Sequence, residues 1–206
     1  NSLFTAIAFF TGNEFSFDAL SMSSNLDKYL IKKYLSYLEA AFLIRIVKRI
    51  DEAGKKFKRE NFFKIYLTNT SLRSSLFTPI NATDDMMGNL VETAIYSQWL
   101  HLESFTPYYS RWQKGEVDMV GLDRKKLKPR WAAEIKWTNR FYEKPNELRN
   151  LISFCKKNKL DSALVTTIDK EKAITVDGIK LYFIPAALYA YAVGYHTMNG
   201  NDSLKN

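Results

Sequence analysis

Asp118, Glu134 and Lys136 are the residues whose types and spacing suit chemistry. They lie in two short runs, GEVDMV (Gly115–Val120) and AAEIKW (Ala132–Trp137). Between the runs stands a polar, turn-like stretch, DRKKLKP (Asp123–Pro129). A hairpin closing on that loop, with its midpoint near Lys126, sets Asp118 directly opposite Glu134. Side chains alternate along a strand, so Lys136 shares the face of the two carboxylates. Val117, Met119, Ala133, Ile135 and Trp137 are then expected on the other, apolar face. Two carboxylates directly across a ladder repel each other, so the pairing costs stability unless a cation sits between them. A divalent ion with oxygen ligands is the natural cation, and the adjacent lysine would hold a phosphate or a water. Uncompensated repulsion also implies that Asp118→Asn stabilises the metal-free chain slightly while abolishing its response to metal.

Charged residues at alternate strand positions are usually just the solvated face of a sheet. Here an aspartate stands in matching register on an otherwise apolar hairpin. A further carboxylate, Glu92, lies in the helical run GNLVETAIYSQW. Together they set a metal-binding site beside the plainer reading.

The rest of the composition excludes more than it suggests. The chain has 206 residues, 46% hydrophobic and 25% charged, as in ordinary globular sequences. A net charge of +8 favours a polyanionic partner such as DNA or RNA. The single cysteine, Cys155, rules out a disulfide framework and suits a reducing cytosol, so a cytoplasmic protein is expected. Neither histidine, His101 or His196, neighbours a cysteine, which disfavours a structural zinc site. No G-x-S-x-G nucleophile elbow and no G-x-x-x-x-G-K-[ST] phosphate loop occurs. Leu181–Tyr195 is uncharged but too short to span a bilayer and contains Pro185, so no membrane association is expected. Ser2–Gly12 is apolar but lacks the basic flank of a signal peptide.

These residues need elements to carry them. Short helices are expected at Ser2–Thr11 and Phe15–Met22, and a clearer one at Asn25–Ala40. In the last, Leu26, Leu30, Tyr34 and Leu38 recur every four residues. Strands at Ala41–Ile50 and Asn61–Thr68 flank the charged turn Asp51–Glu60. Three helices followed by a basic ribbon is the pattern of a winged helix-turn-helix. Its nucleic-acid contacts would be Lys28, Lys32 and Lys33 on the third helix. Lys55, Lys56, Lys58 and Arg59 would contribute from the wing. The Ser/Thr/Asn-rich segment Asn69–Asp85 reads as a connector. Beyond it come a helix at Gly88–Leu102 and strands at Phe105–Arg111, Glu116–Leu122 and Arg130–Thr138. A helix at Pro145–Asn158, strands at Ser162–Thr167 and Lys180–Ile184, and a closing helix at Ala186–Val193 complete the chain. The expected class is therefore α/β (α+β), with domains at 1–69 and 70–198 and a polar tail at 199–206. Tyr108, Tyr109 and Trp112 could stack on bases, but a half-buried strand is the preferred reading.

With the elements placed, the second half resembles a PD-(D/E)XK nuclease-type domain, the restriction-endonuclease-like fold. Asp118, Glu134 and Lys136 match that superfamily's strand positions, and Glu92 matches its helical one. The resemblance implies catalysis by Asp118, Glu134 and Lys136, with Mg²⁺ or Mn²⁺ held by Glu92, Asp118 and Glu134. YYSRW (Tyr108–Trp112), followed by KGEVD and AEIKW, narrows the likeness. The chain resembles the C-terminal domain of unknown function in a family of bacterial and archaeal AAA-type ATPases, where a winged helix precedes the nuclease-like domain. KYLIKKYLSYLEAAFLI (Lys28–Ile44) is similar to that family's winged-helix run. Val117 stands where the superfamily often has proline before the aspartate, and Trp137 and Thr138 replace the small residues that often follow the lysine. The resemblance implies an ATPase ahead of Asn1, with this chain a fragment of the longer protein. Two classes stay open: a metal-dependent phosphodiesterase, or a docking module that recognises a protein or nucleic-acid target for the ATPase.

Overall fold

A computed structural model describes residues 2–57, 61–100 and 105–199. The chain is mixed α/β, built on a nine-stranded sheet ordered β1-β3-β2-β4-β5-β6-β7-β9-β8. Its first part contains α1 (Ser2–Phe9), β1 (Glu14–Ser16), α2 (Phe17–Ser24), α3 (Lys28–Ala40), β2 (Ile44–Ile50), β3 (Phe62–Leu67) and α4 (Ser71–Leu76). Then come α5 (Met87–Trp99), β4 (Pro107–Trp112), β5 (Gly115–Leu122), β6 (Pro129–Glu134) and α6 (Arg140–Glu143). A 3-10 turn (Pro145–Glu147), α7 (Arg149–Asn158), β7 (Ser162–Thr167), β8 (Lys172–Val176), β9 (Ile179–Pro185) and α8 (Ala186–Met198) close the chain.

Three apolar clusters hold these layers. On one face, α7 buries Leu151, Phe154 and Cys155 against Val117, Val120, Ala132 and Val165. On the other, α5 and α8 bury Ile95, Trp99, Tyr189 and Val193 against Tyr109, Met119, Ala133 and Ile135. Helices α1–α3 close the third around Ile7, Ile31 and Leu35, against Ile44, Phe63 and Ile65. Burial of this kind, at roughly 25 cal/mol per Å² of apolar surface, is the main force holding each helix to the sheet. Among the described residues, no helix is long and apolar enough to cross a membrane.

Several expectations change. The helix expected at Phe15–Met22 starts two residues later. Its first residues instead form edge strand β1, paired with β3, and the Ser16 hydroxyl caps α2 by accepting from Ala19 N–H at 3.0 Å. The β2–β3 ribbon, expected as the wing of a winged helix-turn-helix, is built into the nine-stranded sheet. Strand β2 pairs in parallel with β4, Lys48 beside Tyr108 and Ile50 beside Ser110. The sheet therefore runs unbroken across the division expected at residues 69 and 70. Buried Thr11 and Thr93 reinforce that junction with a hydroxyl–hydroxyl bond of 3.0 Å. The supposed connector contains α4, and α6 and β8 were not anticipated. Residues 200–206 of the expected tail lie outside the described residues, as does His101.

Two departures bear on the site. The β4–β5 pairing shifts register between Tyr108 and Ser110, which face Val120 and Val117. That bulge puts Val117 and Val120 together on the α7 face and Met119 on the opposite one. The expected common face for Val117 and Met119 is thus broken. Strand β6 also ends at Glu134 rather than Thr138. Side chains take its next two ladder donors: Ile135 N–H donates to the Asp118 carboxylate and Lys136 N–H to the Thr166 hydroxyl.

Candidate metal and phosphodiester site

The β5–β6 hairpin pairs Met119 with Ala133 and Val120 with Ala132. Continued by one residue, that register brings Asp118 to Glu134. The hairpin closes as its polar loop demands: Asp123 Oδ1 accepts from Lys125 and Lys126 N–H, and Leu127 takes the left-handed conformation at φ 51°. Lys136 then reaches back. Its Nζ lies 2.7 Å from Asp118 Oδ2 and 2.7 Å from Glu134 Oε2. Both carboxylates are buried, at 7% and 5% exposure, while Lys136 is half-buried and carries the site to solvent.

The cation required between the two carboxylates is thus supplied by the chain itself. Burial works to raise the Asp118 carboxyl, but Lys136, a hydrogen bond with Glu134 and the charge of Lys64 hold it down at about 2. Glu134 goes the other way: burial and the Asp118 charge push it well above the ordinary range, against the pull of Lys136. Burial opposes the charge on Lys136, and the two carboxylates outweigh it and raise the ammonium. The pair therefore holds one firm negative charge and one group inclined to keep its proton. Asp118 also accepts from Ile135 N–H at 2.8 Å. This corrects the expectation that removing its charge stabilises the chain, because Asp118 makes structural hydrogen bonds.

Thr166 on β7 was not anticipated. Its hydroxyl accepts from Lys136 N–H at 2.7 Å and donates to Lys136 C=O at 2.9 Å, fixing the backbone beneath the ammonium. Nothing in SALVTT beyond a fully buried pair of threonines marks it.

Glu92, on α5, has partners of its own. Its Oε1 accepts from Lys64 Nζ at 3.1 Å and Tyr66 O–H at 2.5 Å. Lys64 also pairs with Glu116 at 2.7 Å. Burial raises the Glu92 carboxyl against the pull of Lys64, with the Asp118 charge adding to the rise. Lys64 stays charged despite burial because Glu92, Asp118 and Glu116 surround it. It had a sequence signal, as a lone charge inside the apolar run FFKIYL. The network continues outward through Arg111, which lies 3.5 Å from Glu116 and 3.3 Å from Glu14.

Four carboxyl groups (Glu92, Glu116, Asp118 and Glu134) thus face two ammonium groups (Lys64 and Lys136) and the Arg111 guanidinium. Burial, with the Asp118 charge adding to it, raises both Glu92 and Glu134 against the pull of Lys64 and Lys136. Among the described residues, no three acidic, histidine or cysteine side chains converge on one point. As placed, the chain offers an ion two hard carboxylate donors. That suits Mg²⁺ or Mn²⁺, which often use one or two carboxylates and keep several waters.

The other expected contact residues lie elsewhere. Lys28, Lys32 and Lys33 are exposed on α3, and Lys28 pairs with Asp18. Lys55 and Lys56 are exposed on the turn after β2, where Asp51 Oδ1 accepts from Ala53 and Lys55 N–H. Lys56 lies over the Tyr108 ring, 5.0 Å from its centroid. Lys58 and Arg59 lie outside the described residues. Tyr108 and Tyr109 are buried and unavailable for base stacking.

Residues 1–84 match the model of a domain of unknown function, DUF8612. The match ends between α4 and α5, short of Glu92, Asp118, Glu134 and Lys136. No curated protein and no solved structure matches the chain.

Proposed function

We propose that this chain is a nucleic-acid-associated module of an AAA-type ATPase, with Asp118, Glu134 and Lys136 at the centre of a divalent-metal phosphodiesterase site. In this reading α1–α3 with the β2–β3 ribbon derive from a winged helix-turn-helix. Strands β4–β7 with α5 and α7 form the restriction-endonuclease-like part. The observation that carries it is the single ammonium of Lys136, 2.7 Å from each of two buried carboxylates at a strand end that opens to solvent. A bound Mg²⁺ or Mn²⁺ would polarise a phosphoryl oxygen and lower the pKa of a coordinated water. Asp118 and Glu134 would supply the hard oxygens that hold the ion. With such an ion bound, Lys136 would offset charge on the phosphate oxygens or orient the attacking water. Thr166 would keep the lysine backbone in place through its two hydrogen bonds.

One observation favours the second reading, a docking module without catalysis. Lys136 already bonds both carboxyl groups, so the cluster also stands as a buried ionic network in its own right. The two separate on incubating the chain with Mg²⁺ or Mn²⁺ and labelled DNA or RNA, alongside Asp118→Ala. Metal-dependent cleavage lost in the variant supports the phosphodiesterase. Cleavage equal in both, or in neither, leaves the docking module.

A further inference from the structure

Helix α3 carries an outward face that folding does not explain. Its buried side is Ile31 and Leu35. Directly away from that side, Tyr29, Lys33 and Tyr37 follow one another at four-residue spacing and form a single ridge. Tyr29 is 77% exposed and Tyr37 57% exposed. Lys28 and Lys32 form a parallel line beside the ridge, and both are exposed, with Lys28 paired to Asp18 of α2. From Lys28 to Leu38 there is no acidic residue. Glu39 is turned away, accepting from Ile46 N–H. Among the described residues neither Lys32 nor Lys33 pairs with a carboxylate. They lie near aromatic rings instead, 4.9 Å from the Phe17 centroid and 5.8 Å from that of Tyr37.

For stability this arrangement is poor. Lysines in the first turns of a helix oppose its dipole, and Lys28 and Lys32 repel each other at i,i+4. Exposed tyrosine rings add nothing to the core. Such a face makes sense if it meets a partner that is both anionic and flat-ringed.

We propose that the Tyr29–Lys33–Tyr37 ridge of α3 binds single-stranded nucleic acid, with bases stacked on the two tyrosines and phosphates running along Lys28, Lys32 and Lys33. This rests on the nucleic-acid reading above for the class of partner and is independent of any cleavage. A duplex keeps its base faces inside its own stack and offers this ridge phosphates only. A single strand offers both, and stacking on exposed aromatics is the usual sequence-tolerant way of holding it.

The test is fluorescence anisotropy of the whole chain in EDTA. The probes are labelled oligo-dT and oligo-U of about 20 nucleotides, longer than a site of ~4–16 nucleotides, and a duplex of equal length. The single strands are expected to bind more tightly than the duplex, with affinity falling as salt rises. Tyr29→Ala and Tyr37→Ala each weaken single-strand binding by about tenfold or more, while Tyr29→Phe and Tyr37→Phe retain it. Lys33→Ala weakens binding and flattens the salt slope. These side chains are exposed, so the variants keep the fold. Equal binding of duplex and single strand, unchanged affinity in the alanine variants, or no binding at low salt overturns the proposal. A chain that binds through α3 but never cleaves refutes only the phosphodiesterase. One that cleaves while the α3 variants bind normally refutes only this ridge.

Discussion

Replacing Lys136 with methionine keeps the aliphatic stem and removes the ammonium from between Asp118 and Glu134. Each carboxylate loses a 2.7 Å partner, and both are buried. Breaking a buried ion pair from one side costs about 3–5 kcal/mol, because the remaining charge stays uncompensated. The lysine side chain is 29% exposed, so water tempers the loss and the lower end, about 3 kcal/mol, is expected. The penalty depends on pH. Glu134 already resists ionisation, and without the lysine it resists more strongly. In acid it keeps its proton and hydrogen-bonds Asp118, so the variant suffers least there. As pH rises, either it ionises against Asp118 or the fold must hold its proton, and the loss grows. Urea unfolding in EDTA at about pH 5 and about pH 8 reads this difference. Mn²⁺ should then substitute for the missing ammonium, and at about a hundred times its dissociation constant an ion returns about 2.7 kcal/mol. A loss below about 1 kcal/mol, the range of surface pairs, would refute the reasoning. So would a loss that is the same at both pH values, or one that Mn²⁺ leaves untouched.

Three further outcomes follow from the same geometry. Asp118→Asn weakens the charge-assisted bonds from Ile135 N–H and Lys136 and should cost about 1–3 kcal/mol by chemical denaturation. Since folding depresses the Asp118 carboxyl to about 2, its contribution is present above the ordinary carboxylate range and disappears as pH falls through that value. Glu134→Gln acts oppositely: a carboxyl raised by folding lowers stability once pH exceeds its unfolded value, about 4.3. The glutamine variant should therefore melt higher than wild type at neutral pH and equally near pH ~4. Thr166→Val leaves Lys136 N–H and C=O without their shared partner and should cost about 1–3 kcal/mol, with Thr166→Ser close to wild type in the same denaturation assay.

How much of this was legible in the sequence depended on the range of each interaction. The hairpin was readable because its register is local: Asp123 and the basic loop close it, and apolar alternation on both sides fixes which residues meet. The mixed α/β class followed from helical and strand periodicities of sufficient length. The bulge at Val117–Val120 was not readable, since no glycine or proline marks it and it arises from the fit between β4 and β5. Strand β1 is three residues long and exists because β3 offers it an edge. The parallel union of β2 with β4 joins residues sixty apart, beyond the reach of any local pattern. That union makes the expected wing part of the nine-stranded sheet. The role of Lys136 as counter-ion was hidden for another reason. Alternation predicts its side, but only the early end of β6, set by Asp118 and Thr166, turns the ammonium back onto both carboxylates.

The central claim is that Asp118 and Glu134 hold a divalent cation in exchange for Lys136. It is tested most directly by titrating Mn²⁺ into the metal-free chain and following free Mn²⁺ by electron paramagnetic resonance. Wild type should take up Mn²⁺, Lys136→Met should bind it more tightly, and Asp118→Ala should not bind it. Wild type that binds no Mn²⁺, or an Asp118→Ala variant that binds as wild type does, would contradict the account.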